Sequence, residues 1–180
     1  MTWVPKLASP VATAAPRVAG VVLVLNRDII PDQEVTFEEI MPGRAIQADI
    51  QWHSTLVTTI LNIYALNAPH ENRDFWAKLN EVYKQPERKI KKPELMLGDF
   101  NLVEDAINQL LCNKNTVEEL QKLKHKIKVQ DGWRTMYPNS KAYTHTQKPA
   151  MSRARLDWIY ATEVIIRTAL EWDRKTRHRH

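Results

Sequence analysis

The spacing of apolar residues alternates between two periods along the chain, and this alternation constrains the fold more than any other feature. The runs "RAIQADIQW" from Arg44 and "LVTTILNIYAL" from Leu56 have the pattern of β-strands. The run "HENRDFWAKLNEVYKQ" has helical spacing, "PELMLGDFN" returns to a strand pattern, and "TVEELQKLKHKIKV" is helical again. Strands interleaved with helices predict an α/β fold in layers with a mixed β-sheet.

The first two of these strands are joined by "HST", which predicts an antiparallel hairpin. A further strand, buried on both faces, is predicted over Ala19 to Asn26, where "AGVVLVLN" is continuously apolar. Residues 1–18 are rich in proline and alanine and predict an irregular lead-in.

Both predicted helices are amphipathic and should cover the sheet. The first begins near Asn72 or His70, either of which can cap it, and ends at Pro86. In the second, Thr116 and Glu119 form a predicted capping box. The apolar stripes that should face the sheet are Phe75, Trp76, Leu79, Val82 and Tyr83 in the first helix and Val117, Leu120, Leu123 and Ile127 in the second.

The final third of the chain contains two β-prone runs, "KAYTHTQ" and "SRARLDWIYA", which predict another hairpin. The following "TEVIIRTALEW" predicts a helix capped by Thr162.

Composition limits the class of protein. A chain of 180 residues with 43% hydrophobic residues fits one domain. Cys112 is the only cysteine, so an intramolecular disulfide is excluded, and the longest apolar run is too short for a membrane span. We therefore expect a soluble intracellular protein without a membrane partner. The net charge of +5 is compatible with a polyanionic partner such as nucleic acid.

Polar residues at strand ends are the candidate site residues. Asp99 and Asn101 share a side of the chain if the strand continues through Asn101, although Gly-Asp-Phe-Asn is also a turn-forming sequence. Asp157 stands inside an apolar run, where Arg153 or Arg155 could neutralise it as a structural ion pair. Tyr64 and Asn67 could be a core aromatic residue and a turn residue.

The order of these segments resembles that of the endonuclease/exonuclease/phosphatase superfamily, which has the DNase I-like fold. The resemblance rests on "NIYALNAP", a helix with "FW", "LMLGDFN", "DGWR", "AYTHTQ" and "SRARLDWIY", in that order, and spans residues 19–172. "PGRA" and "GDFNLVEDA" are similar to the endonuclease domains of fungal LINE-like retroelements. The resemblance implies a layered α/β sandwich that hydrolyses phosphodiester bonds, with DNA a better candidate than RNA and Mg²⁺ as cofactor.

The resemblance also implies roles for individual residues. Asp99 matches the aspartate that orients or deprotonates the attacking water, and Asn101 matches the asparagine that helps to hold water and phosphate. Asp157 matches the aspartate that orients the catalytic histidine. Tyr64 and Asn67 match phosphate-contacting residues, with Leu66 in place of the usual proline between them.

This sequence departs from the family pattern at both ends. The first strand and helix, with the glutamate that binds the metal, and the last strand, with its Asp-His pair, are not found. His178 and His180 follow arginines in a basic tail, residues 173–180, and are not assigned the missing role. A site of this kind should bind Mg²⁺ weakly, so we expect impaired catalysis.

Two alternatives stay open. The missing strands could be supplied by a partner chain or by a longer product. The domain could instead bind nucleic acid without cleaving it, through Arg153, Arg155, Lys148 and the basic tail.

Overall fold

The computed structural model describes residues 20–26, 28, 30, 35–53, 56–102, 114–141, 143–147 and 152–169. The lead-in, Cys112, Lys148, His178, His180 and the basic tail lie outside these residues. Within them the strands are β1 (Val35–Met41), β2 (Ala45–His53), β3 (Leu56–Tyr64), β4 (Leu95–Asp99), β5 (Val129–Asp131), β6 (His145–Gln147), β7 (Ser152–Ala154) and β8 (Asp157–Thr162). The helices are α1 (Pro69–Val82), α2 (Lys114–Ile127), α3 (Gly132–Met136) and α4 (Glu163–Thr168), with a 3₁₀ turn at Pro86–Arg88.

The main sheet is mixed, as the sequence predicts. Its six strands lie in the order β1-β2-β3-β4-β8-β5, and β6 pairs with β7 in a separate two-stranded sheet. The β2–β3 hairpin is antiparallel, whereas β3 and β4 are parallel. Helix α1 connects β3 to β4 and allows them to run parallel. The carboxyl ends of these two strands therefore meet at one edge of the sheet.

The two long helices cover one side of the sheet, which we call the helix face. Their predicted stripes are correct: Phe75, Trp76 and Leu79 of α1 and Leu120, Leu123 and Ile127 of α2 are buried in one cluster with Leu61, Ile63, Met96, Trp158 and Tyr160 of the strands. Val82, Tyr83 and Val117 are partly buried against it. A chain of aromatic contacts runs through this core, with Trp76 stacked on Phe100 at 5.1 Å and Phe100 next to Tyr160 at 5.3 Å between ring centroids.

The opposite side of the sheet, which we call the second face, carries Ala48, Ile50 and Ile60 with Leu95 and Leu97. The prediction of a strand from Ala19 to Asn26 is wrong, because residues 20–26 form no β-ladder. They lie against this second face instead, with Leu23 and Leu25 packed on it and Val22 and Val24 more than 60% exposed. The Asn62 amide donates to the Val22 carbonyl oxygen at 3.1 Å.

The sequence patterns missed strand β1. Its side chains are mostly exposed, and Glu38 and Glu39 interrupt any apolar alternation, as is common at the edge of a sheet. The short elements β5 and α3 were also missed. The run "SRARLDWIYA" divides between two sheets, so only its first residues form the predicted hairpin with β6.

The predicted helix caps need correction. Helix α1 begins with Pro69 after Ala68, without a side-chain cap, so neither Asn72 nor His70 precedes it. Helix α2 begins at Lys114, which places Thr116 inside its first turn. Thr162 does precede α4, but its hydroxyl caps no backbone group. In the described part of the chain, no helix combines the length and the apolar character needed to cross a bilayer.

Candidate active site

Three of the predicted site residues form a row across neighbouring strands. Tyr64 ends β3, Asp99 ends β4, and Asp157 begins β8; Asp99 is the direct register partner of both others. Residues in register share a face of a sheet, and the row alternates with helix-face residues such as Ile63 and Trp158. The row therefore lies on the second face, at the edge where β3 and β4 end.

The Asp99 carboxyl is influenced by burial and by the charge of Asp157. Burial raises the pKa of the Asp99 carboxyl above its ordinary value, and the neighbouring charge of Asp157 raises it further. Hydrogen bonding to Asn101 and the charge of His145 oppose this rise in the pKa of Asp99. A carboxylate with a raised pKa is a stronger base than an ordinary aspartate, which suits proton abstraction.

Asn101 reaches the site by a turn. The strand ends at Asp99, and Asn101 has a φ of 48°, so the extended geometry that would place both side chains on one face does not persist. The Asn101 backbone N–H donates to Asp99 Oδ1 at 3.0 Å, and its side-chain amide donates to the Ala65 carbonyl oxygen at 2.9 Å. The Gly-Asp-Phe-Asn segment therefore forms a turn and also places Asn101 beside Asp99.

Asn72 joins the two loops that carry the site. Its side chain is 1% exposed, and its amide donates to the carbonyl oxygens of Leu66 and, at 2.9 Å, Phe100. Its Oδ1 accepts from the indole N–H of Trp76. Asn72, which the sequence suggested as a helix cap, is thus a buried residue that links the segments after β3 and β4 by hydrogen bonds; we call this link the Asn72 tie.

The predicted phosphate-contacting residues at the end of β3 differ in exposure. Asn67 is exposed, and Tyr64 is half-buried. The Arg44 guanidinium lies over the Tyr64 ring, 4.9 Å from its centroid, and so brings a positive charge beside the row. Sequence reasoning did not single out Arg44.

Arg153 and Arg155 have unrelated environments. Arg153 is exposed on β7. Arg155 is 5% exposed, binds Asp131 through two hydrogen bonds, and lies over the ring of Trp158 on the helix face. The sequence allowed a structural ion pair between Arg155 and Asp157. Arg155 does form a structural ion pair, but its partner is Asp131. Asp157 itself is exposed.

His145 is a residue near the site that sequence reasoning missed. It lies on β6, and its charge acts on Asp99. Thr144, the residue before it, accepts hydrogen bonds from the backbone N–H groups of Leu156 and Asp157 at 3.0 and 3.1 Å. The signal that could have located it is the predicted hairpin, because the second run, "SRARLDWIYA", contains Asp157.

Comparison with known proteins decides the fold. No protein-family model matches the chain. Among solved structures, the 3′ phosphatase NExo from Neisseria, bound to product DNA hairpin, matches with a TM-score of 0.58 and 19% identity over 75% of this chain and 60% of that one. The endonuclease domain of TRAS1, a telomere-specific non-LTR retrotransposon, matches with a TM-score of 0.53 and 13% identity over 76% and 60%. The AP endonuclease LMAP from Leishmania major matches with a TM-score of 0.52 and 12% identity over 70% and 48%.

The chain has the DNase I-like fold. This confirms the fold class expected from the order of the sequence motifs. The chain spans 60% or less of the length of these three structures.

Mg²⁺ in a protein site needs one or two well-placed carboxylates together with further oxygen ligands. Among the described residues, no group of three or more histidine, cysteine, aspartate or glutamate side chains converges as metal ligands do. Asp99 and Asp157 alone do not make up a metal centre of this kind, and we assign no step to a metal.

Proposed function

We propose that this chain is a nucleic-acid phosphodiesterase domain in which Asp99 acts on the attacking water. The observation that supports this most directly is the row of Tyr64, Asp99 and Asp157 at one edge of a DNase I-like sheet. The named neighbours are a 3′ phosphatase bound to product DNA hairpin, an AP endonuclease and the endonuclease domain of a non-LTR retrotransposon. DNA is the substrate we propose.

In the proposed reaction, water attacks phosphorus while Asp99 takes a proton from it. The P–O bond to one sugar oxygen breaks, and that oxygen takes a proton from the solvent, which leaves a phosphate monoester and a free hydroxyl group. Its raised pKa makes it a better base, and the Asn101 backbone N–H fixes one of its oxygens in place. The hydroxyl of Tyr64 and the exposed amide of Asn67 are suited to donate hydrogen bonds to phosphate oxygens. Asn101 positions the loop rather than holding the phosphate with its amide, because that amide donates to Ala65.

We also propose that turnover by this chain is slow. General acid–base help typically contributes about 10²–10⁴-fold to rate, and the described site offers carboxylates without a converging metal-ligand group. Magnesium, which the family resemblance implies, is therefore supplied in the test as an added component.

A plasmid-nicking assay tests this function. Supercoiled plasmid is incubated with the protein and MgCl₂, with a parallel EDTA arm. Asp99→Asn keeps an acceptor for the Asn101 N–H but cannot take a proton, so nicking should fall at least about 100-fold. Asp74→Asn on the exposed surface of α1 is the matched control and should nick as the wild type does. Equal nicking by wild type and Asp99→Asn would refute the proposed role of Asp99.

A second candidate function is binding of nucleic acid without cleavage, which the net charge of +5 and the exposed Arg153 favour. Affinity that depends on phosphate contacts weakens steeply with salt. DNA binding that weakens in this way, with no nicking at any Mg²⁺ concentration, would support this candidate over the first.

A further inference from the structure

The β6–β7 hairpin is fastened to the edge of the sheet where the two carboxylates lie. Thr144 Oγ1 accepts hydrogen bonds from the backbone N–H groups of both Leu156 and Asp157. The Thr144 N–H donates to the Ala154 carbonyl oxygen at 3.0 Å. The two hydrogen bonds to Oγ1 hold the chain next to His145 against the start of β8, and the third belongs to the pairing of the hairpin.

The pairing of the hairpin indicates which way His145 faces. His145 is the register partner of Ala154, and Thr146 is the partner of Arg153. Paired residues share a face, and Ala154 is 8% exposed while Arg153 is exposed. His145 is therefore on the same face of the hairpin as Ala154 and on the opposite face from Arg153, and its side chain is exposed and accessible to a substrate.

The charges around His145 come from several elements. Among the described residues, the charge of His145 acts on Asp99 of β4, and Asp157 of β8 adjoins the preceding residue, Thr144. Arg153 lies on the opposite face of the hairpin, and Arg44 lies beside Tyr64, at the other end of the row. A phosphodiester is an anion, so two carboxylates alone repel it. A positive donor beside them offsets that repulsion.

We propose that His145 binds a non-bridging oxygen of the phosphate that lies in front of Asp99. This inference rests on the proposed function and adds to it a substrate contact that the family resemblance does not assign. His145 does not converge with Asp99 and Asp157 as a third metal ligand would. A phosphate group is larger than a metal ion and presents oxygens on several sides, so it can contact Asp99 through a water and His145 directly.

The test uses the full chain and a fluorescently labelled DNA duplex, with affinity measured by anisotropy at low salt from pH 6 to pH 8. A protonated imidazole attracts a phosphate oxygen more strongly than a neutral one, and rising pH favours the neutral form. Wild-type affinity should therefore fall as pH rises. His145→Gln should bind about tenfold more weakly at pH 6, as expected for one lost charge-assisted hydrogen bond, and should show little pH dependence. His145→Lys should keep the pH 6 affinity across the whole range.

His125→Gln, on the exposed surface of α2, is the control and should match the wild type. If His145→Gln binds like the wild type with the same pH dependence, the inference is wrong, even where nicking is intact and Asp99-dependent. If the wild type binds with the expected pH dependence but does not nick, the histidine contact stands and the catalytic proposal fails. Absence of both binding and nicking overturns both.

Discussion

Arg155 holds Asp131 through both of its terminal nitrogens, with Nη1 2.7 Å from Oδ2 and Nη2 3.1 Å from Oδ1. Both side chains are less than 10% exposed. The guanidinium lies 4.1 Å from the ring centroid of Trp158 and 5.1 Å from that of Trp133. This buried group joins β5 and α3 to the start of β8, next to Asp157.

Removing the guanidinium should destabilise the protein severely. Arg155→Met leaves the Asp131 carboxylate buried without its partner, which typically costs about 3–5 kcal/mol. Arg155→Lys should also destabilise, because an ammonium group makes neither the paired hydrogen bonds nor the stacking contact. Urea unfolding followed by tryptophan fluorescence measures both effects. Arg153→Met, at an exposed site two residues away, should change stability by less than about 0.5 kcal/mol.

The same pair of variants separates a structural role from DNA binding. If Arg155 contacted DNA, Arg155→Lys would retain stability and lose affinity. We expect the opposite: Arg155→Lys should lose stability, whereas Arg153→Met should weaken DNA binding at unchanged stability. A stable, weakly binding Arg155→Lys would contradict this assignment.

Gly98 lies where β4 approaches β3 too closely for a side chain. Its φ is +134°, and a Cβ atom there would lie 1.9 Å from the Ile63 carbonyl oxygen. Gly98→Ala should therefore destabilise by more than about 3 kcal/mol or prevent folding, because the obstructing atom belongs to the backbone. Gly20→Ala is the control, since nothing lies within 4 Å of its added methyl group. Thermal unfolding of the two variants, with circular dichroism showing whether Gly98→Ala folds, tests this; equal midpoints would contradict it.

The features that sequence predicts here are those set by local periodicity. The helical stripe containing Trp76 and Leu79 and the apolar strand before Asp99 follow from spacing alone, and the structure confirms them. Residues 20–26 have an equally apolar pattern, yet they pack on the sheet without joining it. Pairing depends on hydrogen bonds to a neighbouring strand, and composition does not reveal whether a neighbour is present.

Long-range partners in the candidate site were harder to predict. The positions of Asp99 and Asp157 follow from matching motif order, but the partner of Arg155 lies 24 residues away on a three-residue strand that has no clear pattern. His145 is brought to the carboxylates by the hydrogen bonds of Thr144, a polar residue in a loop. Such contacts depend on the register of several strands, which the sequence does not specify directly.

Loss of the Asn72 tie should loosen both site loops. Asn72→Ala leaves the Trp76 indole N–H and the Leu66 and Phe100 carbonyl oxygens without their buried partner, which should cost about 2–4 kcal/mol. Asn72→Asp should be worse, because it keeps the acceptor for Trp76 but turns a carboxylate oxygen toward the two carbonyl oxygens. Urea unfolding compares them with Asn62→Ala, which removes one exposed hydrogen bond and should cost less than about 1 kcal/mol. A smaller loss for Asn72→Ala than for Asn62→Ala would contradict the tie.

The carboxylate of Asp99 should reduce the stability of the fold at neutral pH. Burial and the charge of Asp157 raise the pKa of Asp99 in the folded protein, so the folded state holds this proton more tightly than the unfolded chain does. The stability that this bound proton contributes is fully present below the pKa of Asp99 in the unfolded chain. It is lost as the pH rises through the pKa of Asp99 in the folded protein.

Asp99→Asn cannot ionise and keeps an oxygen acceptor for the Asn101 N–H. At pH 7 the variant should therefore unfold at a higher temperature than the wild type, and the difference should shrink as pH falls toward 3. Asp74→Asn, on the exposed side of α1, should show no such gain. Thermal unfolding across this pH range measures both, and a variant less stable than the wild type at pH 7 would be the contrary result. A variant that is more stable but loses nicking would show that the fold retains a destabilising carboxylate because the reaction requires it.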